Sequence, residues 1–402
     1  MAKKISKFFE KFLARDTLFK DKQVLQMNYI PDDITHRDEQ VDQIAEILAP
    51  SLKKQKPSNV FIYGKVGSGK TLVVKYITNQ LLDTANKLNV PLKILYINCK
   101  LKRVADTEYR LMAQLIRDFG KDIPTTGLPT DEIYKTFFNI VDSKKQLLIL
   151  ILDEIDQLVK KCGDGILYNL TRINEELKNS QLSLVGISND LVFVDNLDPR
   201  VKSSLSEEEI IFPPYNALQI QDILSQRVIK AFKEDVVHQG VIAKCAAYAA
   251  REHGDARRAL ELTRVAGELA ERESSPSVNI EHLDKAEQKI EKDRIVDTIK
   301  TQPLQCQLVL YAIIKMYLKK KDVILTGEVY DIYKEHCSRS GLRPLTQRRI
   351  SDIIAELDMF GILNVKVISK GRYGRTREIS LAIQPSMLPK IISLLEQSLN
   401  VS

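Results

Sequence analysis

A chain of 402 residues exceeds the ~250 to 300 residues at which a single core stops growing, so two or three domains are expected. Its 44% hydrophobic and 28% charged content excludes a disordered polymer, and a formal net charge of +7 suits contact with a polyanion. Five cysteines, Cys99, Cys162, Cys245, Cys306 and Cys337, form no CxxC pair, which argues against a zinc ribbon and a secreted disulfide framework and for a reducing, cytoplasmic setting.

In chain order, the opening MAKKISKFFEKFLARDTLF has basic residues spread through it and reads as an amphipathic or loosely ordered leader, not a signal peptide. NVFIY then predicts a strand and LVVKYI a helix, and between them GKVGSGKT matches G-x-x-x-x-G-K-[ST]. In that setting Gly64, Lys65, Val66, Gly67, Ser68, Gly69, Lys70, Thr71 and Leu72 form a phosphate-binding loop. The glycines let backbone N–H groups turn inward around phosphate oxygens, and the following helix adds its positive end. Lys70 then reaches the β- and γ-phosphates, and the Thr71 hydroxyl ligates Mg²⁺.

A second strand, KILYI (93–97), leads into ADTEYRLMAQLIRDFGKDIP, which is longer than a simple crossover needs. LLILIL (147–152) has no alternation, as expected of a parallel strand buried on both faces, and is far too short for the ~20 residues of a membrane span, so no membrane partner is expected. It delivers Asp153 to the ligand end of the sheet as a second metal ligand, with Glu154 beside it to orient the attacking water. Further strands are expected at SLVGIS (183–188) and EIIF (209–212). The five histidines show no metal-ligand spacing and read as structural.

After the PPYN turn (213–216) only helices are expected, near 217–232, 238–252, 256–272 and 280–291, with breaks at Gly240, Gly254 and SSPS (274–277). From about 296 a stripe of Leu310, Ile313, Ile314 and Tyr317 is followed by one of Val329, Ile332, Tyr333 and His336, with Thr326 as its N-cap. A third helix in PLTQRRISDIIAELDMFGIL buries Ile350, Ile353, Ile354 and Leu357, with Thr346 as cap and Gly361 at its end. NVKVISKGRYGRTREISLAI then reads as a hairpin with a basic turn. Helix, helix, helix, hairpin is the order of a winged helix. Its third helix would present Gln347, Arg348 and Arg349 to duplex DNA, and its wing Lys366, Lys370, Arg372, Tyr373, Arg375 and Arg377.

The succession of P-loop, LDEIDQL, SND (188–190), DPRVKSSL (198–205) and GDARRALEL (254–262) resembles the AAA+ ATPases. With HRDEQ, NCK and the basic C-terminal domain, the chain resembles more narrowly the archaeal replication initiators. These are related to the origin recognition complex and to the cell-division-cycle loader of the replicative helicase. The resemblance implies an α/β P-loop AAA+ domain with a parallel sheet (1–212), an all-helical lid (213–294) and a C-terminal winged-helix domain (295–402).

It also implies ATP or ADP with Mg²⁺ as cofactors, weak ATPase activity used as a switch, and a nucleoid-associated location. Double-stranded origin DNA, other initiator subunits and the replicative helicase are the implied partners. By the same resemblance Asn189 is the polar sensor beside the γ-phosphate and Arg200 an arginine finger acting on a neighbour's nucleotide. Arg257 is the lid sensor, with Arg258 as its alternative. Tyr29, Ile30, Pro31 and Arg37 wrap the adenine, and Tyr215 joins the nucleotide contacts. Arg103, Arg110 and Arg117 mark a helical insertion that touches DNA. A nucleotide-regulated winged-helix transcription regulator and a clamp-loading or remodelling AAA+ protein are the alternative readings.

Overall fold

The computed structural model describes residues 16–100, 105–124, 127, 129–205, 207–252, 254–320, 324–369 and 375–399. The chain divides into two compact units at residues 283 and 284. Residues 1–15 of the expected leader and the wing residues Lys370, Arg372 and Tyr373 lie outside the described residues, as does Arg103.

In the first unit α1 (Asp38–Leu48) precedes β1 (Asn59–Gly64), and α2 (Lys70–Lys87) and β2 (Leu92–Asn98) follow. Next come α3 (Glu108–Asp118), α4 (Thr130–Val141), β3 (Leu147–Asp153), α5 (Ile155–Cys162), α6 (Gly165–Glu176) and β4 (Gln181–Ser188). α7 (Pro199–Leu205) and β5 (Glu207–Phe212) complete this part. The five strands form one parallel sheet in the order β2-β3-β4-β1-β5. Every residue of β3 is buried because both of its faces are covered: Leu148, Leu150 and Leu152 enter one core, Ile149 and Ile151 the other. The segment read as an insertion contains α3, which buries Leu111, Met112, Leu115 and Ile116 in that first core and is therefore part of the layer over the sheet.

Four further helices are α8 (Ala217–Ala231), α9 (Gln239–Arg251), α10 (Ala256–Glu273) and α11 (Ile280–Thr301). Asn216 and Gln219 cap α8 reciprocally at 2.9 and 3.0 Å, and Asp255 caps α10 by accepting from the Arg257 N–H. α11 continues ten residues beyond the end read from its apolar spacing, 291 against 301.

The second unit contains α12 (Leu304–Lys320), β6 (Ile324–Leu325), α13 (Thr326–Ser340), α14 (Gln347–Met359), β7 (Leu363–Ser369), β8 (Arg375–Leu381) and α15 (Leu388–Leu399). The strands form an antiparallel sheet, β6-β8-β7. Thr346 caps α14, and Gly361 ends it at φ +69° with its N–H on the Asp358 carbonyl. Thr326 does not cap α13. Pairing with Glu378 holds Leu325 extended in β6, so Leu325 takes the cap position and Glu328 accepts from its N–H at 3.3 Å. The Thr326 hydroxyl donates to the Arg377 carbonyl at 3.5 Å instead. Among the described residues no helix is long and apolar enough to cross a membrane.

Candidate functional site

β1 runs directly into the glycine-rich loop, and α2 starts at Lys70, so the free N–H groups of its first turn face the loop. Gly67 and Gly69 hold the loop in left-handed conformations, φ +78° and +96°. A Cβ on Gly67 would sit 1.8 Å from a carboxylate oxygen of Asp255, so glycine is required here both for the turn and for the approach of α10.

Lys70 is 5% exposed and donates to the carbonyls of Gly64 at 2.7 Å and Lys65 at 2.9 Å, and to Asn189 Oδ1 at 2.9 Å. Burial, and then the Arg257 charge, lower its pKa to about 8 against the opposing pull of Asp153, Glu154 and Asp156. Thr71 Oγ1 donates to Asp153 Oδ2 at 2.9 Å. Glu154 follows in a left-handed conformation, φ +56°, as the cap residue of α5, its carboxylate 3.5 Å from Lys100 Nζ.

Val66, Gly67, Gly69, Lys70, Thr71, Asp153, Glu154, Asn189 and Arg257 all line one cavity of about 280 Å³. Gly64, Lys65 and Ser68 shape the loop behind it: the first two hold Lys70 through their carbonyls, and the Ser68 hydroxyl donates to Lys65 O at 2.8 Å. A buried ammonium, two carboxylates, inward N–H groups and a guanidinium are what a polyphosphate with a hard cation requires.

Tyr29, Pro31, Leu72 and Tyr215 line a second cavity of about 410 Å³, closed on its other side by Ile223, Gln226, Arg227 and Lys230 of α8. Ile30 lies between two of these lining residues. Arg37, expected around the base, is 2% exposed and donates to the carbonyls of Ser68 (3.0 Å), His36 (3.1 Å) and Pro213 (2.5 Å), with Tyr215 stacked 3.8 Å from its guanidinium. It braces the phosphate loop. Arg258 is drawn into ion pairs with Glu252 and Glu261, whereas Arg257 faces the cavity. Arg200 stands apart: its side chain is 84% exposed at the start of α7 and holds to Asp198, at 3.1 and 3.2 Å.

Sequence reasoning gave no site role to Tyr96, nor to Asn98 and Lys100 of NCK, which enter the same cavity from the end of β2. The signal was available, since ligands sit at the carboxyl ends of parallel strands and β2 is the strand beside β3.

In the second unit Gln347, Arg348 and Arg349 are exposed on the first turn of α14. Arg349 leans back along the helix toward Glu356 (3.4 Å) and Asp352 (3.8 Å). Arg377 of β8 donates to the Ser351 carbonyl at 2.5 Å and ties the hairpin to this helix, and Arg375 opens β8. Arg110, in the first unit, is exposed on α3 and pairs with Asp106 at 3.4 Å.

Three family models match in succession: an AAA domain over residues 53–192, a Cdc6 AAA+ ATPase-type lid domain over 221–288, and a CDC6 C-terminal winged helix domain over 297–390. An ORC1-type DNA replication protein of Pyrococcus abyssi is 52% identical over 385 residues, 95% of this chain and 91% of the relative. Its counterpart in Thermococcus kodakarensis is 51% identical, over 96% and 94%. The chain belongs to the ORC1-type DNA replication proteins. The solved Aeropyrum pernix ORC1 protein in complex with DNA is 44% identical and superposes with a TM-score of 0.83, covering 93% of this chain and 96% of that one. Cdc6p from Pyrobaculum aerophilum, 21% identical with a TM-score of 0.61 over 96% of this chain and 99% of that one, shares the fold. The expected architecture, AAA+ ATPase domain, helical lid and winged helix, is the one present. Its relatives are replication proteins, not transcription regulators or clamp loaders.

Proposed function

We propose that the chain is an ATP-switched initiator that grips origin duplex DNA through its winged helix and the α3 region of its AAA+ domain. One observation carries the switch: Lys70 at the start of α2, Asp153 and Asn189 at the ends of β3 and β4, and Arg257 from α10 line a single cavity, so phosphate occupancy and lid position are coupled. The domains assigned to these roles are 1–212, 213–294 and 295–402.

In this reading Lys70 pairs with the β- and γ-phosphates, and Arg257 contacts the γ-phosphate from the lid. Thr71 and Asp153 supply hard oxygen donors that fit Mg²⁺, whose charge offsets that of the phosphates when it is bound. Glu154 orients the attacking water, and Asn189 steadies the water or the γ-phosphate. Arg200 reaches a neighbouring subunit's nucleotide, which accounts for its exposure and makes an isolated subunit a slow ATPase. Tyr29, Tyr215 and Leu72 border the base, with Ile30 beside them. Gln347, Arg348, Lys370, Arg372, Tyr373 and Arg375 face the duplex, most of them neutralising phosphates. The replicative helicase is the partner that such an initiator recruits on the nucleoid.

Footprinting on genomic DNA with ATP and with ADP tests this. Protection confined to an initiation zone and dependent on the nucleotide is expected, together with loss of ATP binding in Lys70→Ala. Protection at promoters alone, or footprints identical with ATP, ADP and no nucleotide, rejects it.

A further inference from the structure

Asp153 Oδ2 accepts two hydrogen bonds, and only one comes from the phosphate-loop motif. Thr71 donates at 2.9 Å; the hydroxyl of Tyr96 donates at 2.5 Å. Register explains how a residue of another strand arrives there. In the β2–β3 ladder Tyr96 pairs with Ile151 and Asn98 with Asp153, so Tyr96 stands two residues back on the adjacent strand. Alternation puts Tyr96 and Asp153 on the same face, the one on which Ile149 and Ile151 pack against Val73, Val74 and Ile77 of α2. A tyrosine ring spans the ~4.8 Å between strands and places its hydroxyl beyond the neighbouring chain.

The contact is selective. Tyr96 is only half-buried on an edge strand, so burial alone does not force its hydroxyl onto a carboxylate. Lys75 of α2 covers the ring, with Nζ 4.4 Å from its centre, and holds it in place. Two donors on one carboxylate oxygen set the rotation of that carboxylate, where the loop threonine alone leaves it free to turn.

We infer that Tyr96 is a positioning residue for the metal-binding carboxylate of Asp153, acting from β2 and outside both nucleotide motifs. This rests on the reading that the cavity takes ATP with Mg²⁺. Tyr96 touches neither base nor phosphate in this role; it sets how readily the site accepts the cation.

The test is Tyr96→Phe, which removes one oxygen and keeps the ring. Binding of a fluorescent ATP analogue is measured first in EDTA and then across a Mg²⁺ titration. Equal affinity in EDTA is expected, with the half-saturating Mg²⁺ concentration raised roughly tenfold, the lower end of what losing an outer contact to a metal ligand does. An unchanged Mg²⁺ midpoint overturns the assignment. So does an equal loss of affinity in EDTA, which would make Tyr96 a packing residue of the loop. Thermal melting of both proteins without nucleotide confirms that the fold is retained; if Tyr96→Phe does not fold, the same titration on Tyr96→Leu decides by the same criteria. Failure of the unsubstituted protein to bind the analogue at all would instead defeat the ATP reading, and this assignment with it.

Discussion

With its pKa lowered to about 8, Lys70 is close to losing its proton at mildly alkaline pH. Phosphate oxygens stabilise the charged form and raise that pKa, so binding above pH 8 takes up a proton and weakens as pH rises, by up to about tenfold per pH unit. Nucleotide affinity compared at pH 7 and pH 9 should show this fall; a flat profile would mean that Lys70 does not meet the phosphates. Glu154→Gln should keep nucleotide binding and lower hydrolysis by about a hundredfold or more, the usual range for a lost general base, in a steady-state assay. Equal turnover would remove Glu154 from the mechanism. Lys70 and Asp153 were legible before the structure because their positions follow local spacing on strands and turns, and Asn189 through the family resemblance. Arg37 and Tyr96 were not. Arg37 acts through contacts to residues 31 and 176 positions away, and no local pattern encodes such a contact.

Residues 17–22 form a strap across the lid. Glu271 of α10 accepts from Thr17 Oγ1 (2.6 Å), the Leu18 N–H (3.0 Å) and Lys22 Nζ (2.8 Å), and Phe19 stacks on Phe232 with ring centres 4.3 Å apart. The strap leads on to Tyr29, whose ring lies under the guanidinium of Arg227 in the wall of the larger cavity. Glu271→Ala removes all three acceptor contacts. It should lower stability by about 1–3 kcal/mol in a thermal or urea melt and speed nucleotide release. A melt unchanged within error would show the strap to be idle. Elements with strong periodicity were placed within a residue or two, β1 to β5 above all. The two-residue β6 carries no pattern of its own and exists only because β8 pairs with it. α15 was overlooked, although Leu388, Ile391, Leu395 and Leu399 recur at helical spacing and are buried.

The two units each have a core drawn from their own residues, one of them running from Val296 to Leu399 without contribution from the first. Length announced more than one domain, but the change to helices only, at 213–216, falls inside the first unit, and the boundary expected at 294/295 lies eleven residues beyond the division at 283/284; the proposed chemistry between subunits rests on the exposure of Arg200. Arg200→Ala should leave nucleotide affinity of the isolated chain within twofold and abolish the rise in hydrolysis per subunit that accompanies assembly, followed as turnover against protein concentration. An equal loss in the dilute, isolated chain would place this arginine at its own nucleotide. The strand order has a consequence for synthesis. Val60 pairs with Val185 and Glu208, so the strand that carries the phosphate loop must wait for chain made much later, on the order of ten seconds at ribosomal speed. Until then NVFIYG leaves the ribosome tunnel without neighbours on either edge, an adhesive ribbon whose partners do not yet exist.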